Sequence, residues 1–136
     1  MTRLSTLLPL LFASGCYFSN GGGYKAPVKD FVPTVTWADA SCYWDPPTGD
    51  FVWWFEADVG DGNGNGDVEA VFADVYDQYN GEWADAFELN WDGGNTFFSS
   101  WQGRSTKLDC EYYQYVVDFT AVDSSGEGPV YTLELY

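Results

Sequence analysis

Residues 51–59 read FVWWFEADV, and this stretch decides the fold class because its apolar side chains recur at every second position. Successive side chains of a β-strand point to opposite faces, so such alternation predicts a strand with one buried face. The predicted core face carries Phe51, Trp53, Phe55, Ala57 and Val59, and the opposite face carries Val52, Trp54, Glu56 and Asp58. The stretch therefore predicts a half-buried strand and not a helix.

The same period of two recurs along the chain, and no segment has a convincing helical period. Strands are predicted at 34–37, 51–59, 68–77, 83–91, 96–101, 112–122 and 130–136. In the third of these strands Val71, Ala73 and Val75 should point inward. In the fourth, the predicted core face carries Trp83, Phe87, Leu89 and Trp91, with Asp85 as an exception.

Glycine-, asparagine- and proline-rich segments separate these strands at regular intervals. Asn80-Gly81 predicts a hairpin with a type I′ turn, because both residues tolerate a positive φ. Several short strands with turns between them and no crossover helices are typical of a β-sandwich. We therefore expect an all-β chain that folds as an antiparallel sandwich of about seven strands.

The segment YVVDFTAVDSSGEGPVYTLEL, residues 115–135, resembles the last two strands of bacterial immunoglobulin-like domains. In those domains an alternating strand ends in an Asp-Ser-Gly turn and returns as an edge strand. This resemblance implies an immunoglobulin-like sandwich. Cys42 precedes the second predicted strand, however, whereas immunoglobulin domains usually bridge their second and sixth strands.

The first fifteen residues, MTRLSTLLPLLFASG, combine a basic start, a short apolar run and small residues before Cys16. These are the three parts of a secretory signal peptide. The run from Leu4 to Phe12 is far shorter than the roughly 20 residues that span a bilayer. Residues 1–15 are therefore predicted to be a signal peptide and not an anchor helix.

Ala13-Ser14-Gly15-Cys16 resembles the lipobox of bacterial lipoprotein precursors, with Ala13 where an aliphatic residue is usual. The resemblance implies that Cys16 is lipidated, which would attach an exported protein to the membrane of the cell envelope, most simply the outer membrane or cell surface. Residues 16–30 would then form a flexible glycine-rich tether before a folded domain at 31–136. The alternative is an ordinary secreted protein cleaved after Ala13 or Gly15, with Cys16 free or bonded to another chain.

The chain has three cysteines, so lipidation of Cys16 would leave Cys42 and Cys110 as an even pair. In an oxidising compartment this pair is predicted to form a structural disulfide. The net charge of −16 argues against nucleic-acid binding, which requires basic patches. The chain has no histidine, which excludes Ser-His and Cys-His catalysis. An enzyme is not expected, although paired carboxylates leave a small glycosidase as an alternative.

The segment DGNGNGDVE, residues 61–69, places oxygen-bearing side chains at alternate positions, as in the first part of an EF-hand calcium loop. The predicted ligands of a structural Ca²⁺ are Asp61, Asn63, Asn65, Asp67 and Glu69. Phe72 stands where an EF-hand needs its bidentate glutamate, and the flanks are predicted strands, so a helix-loop-helix hand is not expected. The alternative is a polar, solvent-exposed turn without a metal.

Seven tryptophans are more than packing of a small sandwich requires. Trp53 and Trp91 fall on predicted core faces, whereas Trp54 and Trp101 are candidates for exposure and for stacking on sugar rings. Burial between opposed sheets is the alternative for Trp54. The sequence thus predicts a lipid-anchored envelope domain that acts as a binding or structural module, stabilised by Ca²⁺, with a carbohydrate-binding module as the alternative. Its partner, protein or glycan, is not identified.

Overall fold

The computed structural model describes residues 31–112 and 114–136, and these residues form an antiparallel all-β domain. The strands are β1 (Thr34–Asp45), β2 (Asp50–Gly60), β3 (Val68–Asp77), β4 (Trp83–Gly93), β5 (Thr96–Gln102), β6 (Tyr115–Asp123), β7 (Gly126–Glu127) and β8 (Tyr131–Glu134). Two short 3-10 helices lie at Asn65–Asp67 and Gly103–Ser105. Neither helix of the described part is long and apolar enough to cross a membrane. The predicted all-β class is confirmed.

The strands are joined in the order β1-β2-β5-β4-β3-β6-β7, and β8 also pairs with β6. Strand β4 changes partner along its length. Its first part, up to Leu89, pairs with β3, and its last part, from Asn90, pairs with β5. The sheet curls into a half-barrel, which brings β1 at one end close to β6 and β8 at the other. The core fills the inside of this curl.

The core confirms most of the predicted inward faces. Trp53, Phe55, Ala57 and Val59 of β2 are buried, as are Val71, Ala73 and Val75 of β3. The rings of Phe55 and Phe87 stack at 4.5 Å between centroids, and Trp53 meets Tyr115 edge-on at 5.9 Å. Residues from β2, β4 and β6 therefore meet across the curl, and burial of these large side chains is the main stabilising term.

The prediction for the two ends of β4 is wrong. Trp83 is 51% exposed and Trp91 is 66% exposed, although Phe87 and Leu89 between them are buried. Both tryptophans lie near the ends of a long strand. Alternation fixes the face to which a side chain points, but burial also requires residues opposite that face. At the start of β2, Val52 is buried and Phe51 only half-buried, so the predicted inward face begins at Trp53.

The predicted β3–β4 hairpin is confirmed, but its turn differs from the predicted type I′. The backbone N–H of Gly81 donates to the carbonyl of Asp77, and that of Asp77 donates to the carbonyl of Glu82, which gives a four-residue loop. Gly81 has a φ of 71°, and no non-glycine residue of the described part has a positive φ. Asn80 therefore does not adopt the conformation that a type I′ turn requires.

Cys42 and Cys110 form a disulfide, with 5.7 Å between their Cα atoms. Cys42 lies in β1, which is longer than the predicted 34–37 and extends to Asp45. Cys110 lies in the connection between β5 and β6. The bridge ties one end strand of the sheet to the segment that leads into β6, and so holds the curl together.

The predicted signal peptide at residues 1–15, the lipidation site Cys16 and the tether at 16–30 lie outside the described residues.

Candidate functional site

Three carboxylates from two connections meet at one end of the half-barrel. They belong to Asp61 and Asp67, in the β2–β3 loop, and Asp123, the last residue of β6. One oxygen of each lies within 4.8 Å of one oxygen of each of the others. This is a spacing at which oxygens can share one cation.

Strand pairing explains why distant parts of the sequence converge here. In the β3–β6 register, Val68 lies opposite Asp123, and a register shift follows between Val68 and Ala70. Asp67, the last residue of the 3-10 helix, directly precedes this pair. Asp61 directly follows β2. The sheet therefore brings the two ends of the β2–β3 loop against the end of β6.

Local hydrogen bonds fix one oxygen of two of these carboxylates. Asp61 Oδ1 accepts the backbone N–H of Asn63 at 2.8 Å. Asp123 Oδ1 accepts the backbone N–H groups of Ser125 and Gly126 at 2.7 and 3.0 Å. These bonds shape the two turns and hold both side chains in one orientation.

The other oxygen of each of these side chains has no hydrogen-bond partner. Asp61 Oδ2 and Asp123 Oδ2 are both buried and unpaired, and Asp123 is only 3% exposed. Burying a carboxylate oxygen without a partner is costly, and buried charges in proteins are paired or coordinate metals. A positive charge beside these two oxygens would therefore stabilise the cluster.

Basic side chains of the described residues lie elsewhere. Arg104 contacts Asp50, with 3.3 Å between Nε and Oδ2. Lys107 lies over the ring of Trp83, with Nζ 4.7 Å from the ring centroid. The described part of the chain contains these two basic residues and no others. The charge of the cluster is thus not balanced by a described side chain.

The electrostatics of Asp67 agree with this geometry. Desolvation is the main cause that raises the pKa of Asp67, and the negative charge of Asp61 is the second. Asp123 adds a smaller repulsion in the same direction. A bound cation would reverse these charge effects and favour the ionised form.

The residues fit a hard cation such as Ca²⁺. Calcium takes six to eight oxygen ligands and accepts carboxylates with one or both oxygens. Asp61, Asp67 and Asp123 would supply carboxylate oxygens from both connections, and water can complete the shell. The donor set contains oxygen alone, which favours Ca²⁺ over metals that prefer nitrogen or sulfur.

The sequence prediction found two of these three residues. Asp61 and Asp67 are brought together as predicted, but the third clustered carboxylate is Asp123 and not Glu69, which is exposed at the start of β3. Asn65 Nδ2 donates to Asn95 Oδ1 in the β4–β5 turn, and Asn63 lies exposed in the loop. Ca²⁺ binding by Asn63, Asn65 and Glu69 stays a prediction.

The loop does not have an EF-hand backbone. Its positive φ, 98°, is at Gly64, whereas Gly66, the glycine of the motif's sixth position, lies at the centre of the 3-10 helix Asn65–Asp67. The sequence match therefore reflects composition and spacing. Asp123 was missed because it lies far from the loop in the sequence. Its position in the Asp-Ser-Ser-Gly turn was the available signal for a polar site, but only strand pairing places this turn beside the loop.

The two tryptophans predicted to stack on sugars do not form one surface. Trp101 is 41% exposed and lies opposite the buried Trp53 in the β2–β5 register, so it shares the core face. Its ring is 5.8 Å from that of Phe87. Trp54 lies opposite Ser100, on the outer face, and is half-buried. A platform that uses both rings is therefore not available.

Comparison of the chain with protein-family models, with curated proteins and with solved structures found no match.

Proposed function

We propose that this chain is a lipid-anchored domain of the bacterial cell envelope that acts as a binding or structural module and holds a structural Ca²⁺ at Asp61, Asp67 and Asp123. The observation that carries the metal assignment is the pair of buried, unpartnered carboxylate oxygens on Asp61 and Asp123. A cation there would neutralise three converging negative charges. It would also join the β2–β3 loop to the end of β6.

The role assigned to the cation is structural. Without it, the repulsion among three carboxylates opposes the close approach of two connections. With the cation bound, the β2–β3 loop and the β6–β7 turn are both held by the same ion. Binding to the folded state alone stabilises a protein by mass action, by about 2.7 kcal/mol when the free ligand is at a hundred times its Kd.

We further propose that the half-barrel is an immunoglobulin-like sandwich whose two sheets share β4. The order β1-β2-β5-β4 corresponds to the A-B-E-D sheet of such domains, and β3-β6-β8 corresponds to C-F-G. Tyr115, at the start of β6, accepts a hydrogen bond from the backbone N–H of Asp109 upstream. A tyrosine in this position is a feature of many immunoglobulin domains.

The disulfide supports the proposed location. Disulfides persist in oxidising compartments, and the Cys42–Cys110 bridge leaves Cys16 as the third cysteine, at the lipobox-like sequence. Lipidation of Cys16 would account for all three cysteines. Intact mass spectrometry of the membrane fraction tests this directly, because a chain that begins at Cys16 and carries acyl groups has a distinct mass. An unmodified chain in the soluble fraction would contradict the anchor.

Calcium titration tests the metal site. The melting temperature of the EDTA-treated chain should rise with added Ca²⁺, and an ionic-strength control with NaCl should not reproduce the rise. Asp123→Asn should abolish this response, because it removes a charge from the buried member of the cluster. Asp92→Asn, at an exposed acidic position in β4, is the matched control and should respond as the wild type does. Absence of any calcium-specific rise in the wild type would refute the site.

A further inference from the structure

A neutral groove lies beside the carboxylate cluster, between the β2–β3 loop and the β4–β5 turn. It has a volume of about 300 Å³. Its lining comprises Asn65, Gly66, Val68, Trp91, Gly94 and Phe97. None of these six described residues is charged, although the chain carries 21 acidic residues. A groove without charge on so acidic a protein favours a neutral ligand.

Trp91 forms an exposed and fixed wall of this groove. Its side chain is 66% exposed, and its indole Nε1 donates to the carbonyl of Gly94 at 3.1 Å. That bond satisfies the polar atom of the indole within the protein. The ring therefore presents an apolar surface to solvent in a defined orientation, which lowers the entropic cost of binding.

Phe97 lies opposite Trp91 in the β4–β5 register and is buried. The groove thus has an aromatic wall at its rim and an aromatic residue below it. Small-molecule sites commonly combine such apolar lining with a few polar groups that orient the ligand.

The polar side chain of the lining is the amide of Asn65. Asn65 Nδ2 donates to Asn95 Oδ1, which links the two connections that border the groove. This bond uses one donor of Asn65 and one acceptor site of Asn95, whereas each amide has two donor hydrogens and two acceptor lone pairs. Asn65, which lines the groove, therefore retains capacity to donate to and accept from a ligand that carries hydroxyl groups.

From these features we infer that the groove binds a neutral sugar unit of a polysaccharide, with one face of the pyranose ring on Trp91 and hydroxyl groups on the Asn65 amide. A pyranose offers both a flat C–H face and a rim of hydroxyl groups. An acidic sugar is disfavoured because the neighbouring Asp61, Asp67 and Asp123 would repel it.

The inference rests in part on the proposed function, because Asn65 and Gly66 belong to the loop assigned to Ca²⁺. A bound cation would order this loop and so position Asn65 toward the groove. Sugar affinity should therefore fall when Ca²⁺ is removed. Trp91 is anchored by Gly94 and not by the loop, so some sugar binding should persist without the cation.

Isothermal titration of the purified full-length chain with neutral oligosaccharides tests the inference, together with pull-down on insoluble polysaccharides. The probes are cello-, xylo-, manno-, malto- and chito-oligosaccharides, with oligogalacturonides as the acidic comparison. At least one neutral series should bind, and the acidic series should not. Trp91→Ala should weaken binding about tenfold or more, as expected for the loss of a central aromatic contact.

Two variants separate stacking from general effects. Trp83→Ala removes another exposed tryptophan from the other end of β4, about 26 Å away at about 3.3 Å per residue, and should leave sugar affinity unchanged. Trp91→Phe keeps a ring but loses the bond to Gly94, and should retain part of the affinity. Circular dichroism and melting curves show whether each variant is folded.

The outcomes distinguish this inference from the calcium proposal. A calcium-specific rise in melting temperature without binding of any neutral oligosaccharide or polysaccharide would overturn the sugar site and leave the metal site standing. Sugar binding that Trp91→Ala weakens, in a chain that shows no calcium response, would support the groove and overturn the metal assignment. Equal affinity in wild type and folded Trp91→Ala, or preference for oligogalacturonides over every neutral sugar, would overturn the sugar site.

Discussion

The hydroxyl of Tyr115 accepts a hydrogen bond from the backbone N–H of Asp109 at 3.0 Å, which closes the connection between β5 and β6 onto the start of β6. The Tyr115 ring is buried and packs edge-on against Trp53 and Tyr112. The ring therefore belongs to the core, while its hydroxyl fixes the segment that carries Cys110.

Tyr115→Phe should lower the free energy of unfolding by about 1 kcal/mol, because it removes one hydrogen bond and leaves the ring in place. Urea unfolding followed by tryptophan fluorescence measures the change. Tyr79→Phe is the matched control, since the Tyr79 side chain is 88% exposed, and it should have no effect. Equal stability of the two variants would show that the Tyr115 hydroxyl does not hold the connection.

Removal of the disulfide should have a larger effect. Cys42 and Cys110 are 68 positions apart, and closing such a loop stabilises a protein by about 4 kcal/mol in the chain-entropy model. The double variant Cys42→Ala/Cys110→Ala should lose stability of this order in urea unfolding. Dithiothreitol should destabilise the wild type but not the double variant. If reduction left the wild type unchanged, the bridge would not contribute to stability.

Gly128 lies in the turn before β8, and because it has no side chain the start of the domain, at Pro33, can pass close to it. A Cβ atom at this position would clash with the carbonyl oxygen of Pro33, and the backbone N–H of Gly128 donates to the carbonyl of Ala121. Gly128→Ala should therefore cost about 1–3 kcal/mol, as overpacking does. In Gly66→Ala the new Cβ meets nothing within 4 Å, so this control should be close to neutral in thermal unfolding. A neutral Gly128→Ala would mean that the Pro33 segment moves away without cost.

Strand positions were predictable because alternation is a local property of the sequence. All seven predicted segments overlap observed strands. The buried face was predicted correctly from Trp53 and Phe55 onward in β2 and from Val71 onward in β3. Exposure of Trp91 was not predictable, because it depends on where β4 leaves β3 for β5. The pairing of strands is a long-range property that a single-strand pattern does not contain.

The same distinction explains the outcome for the metal site. The DxNxNGD pattern identified Asp61 and Asp67 because a loop presents its alternate side chains together. Asp123 joins them only through the register in which Val68 lies opposite Asp123. Composition and spacing could therefore indicate a calcium loop but could not supply the ligand that β6 contributes.

The contribution of Asp67 to the pH dependence of stability should reverse sign when Ca²⁺ is added. Desolvation and then the charge of Asp61 raise the pKa of Asp67 above its ordinary 3.8, so the folded apo form binds this proton more tightly than the unfolded chain does. Stability from this source is fully present below the unfolded pKa and is lost as the pH rises through the raised folded value. With Ca²⁺ the ionised carboxylate is the binding form, so the contribution of Asp67 to stability should rise over the same interval.

Other carboxylates titrate in the same region, so the contribution of Asp67 must be obtained by difference. At Asp77, burial raises the pKa, but hydrogen bonds from the Tyr112 hydroxyl and from the backbone N–H groups of Tyr79 and Asn80 outweigh burial and lower it. Protonation of Asp77 therefore lowers the stability of the protein as the pH falls, with or without Ca²⁺. Subtracting the melting curve of Asp67→Asn from that of the wild type removes this shared background. The difference should decrease with rising pH in EDTA and increase with rising pH in Ca²⁺; parallel curves in both conditions would show that Asp67 neither titrates with a raised pKa nor binds the cation.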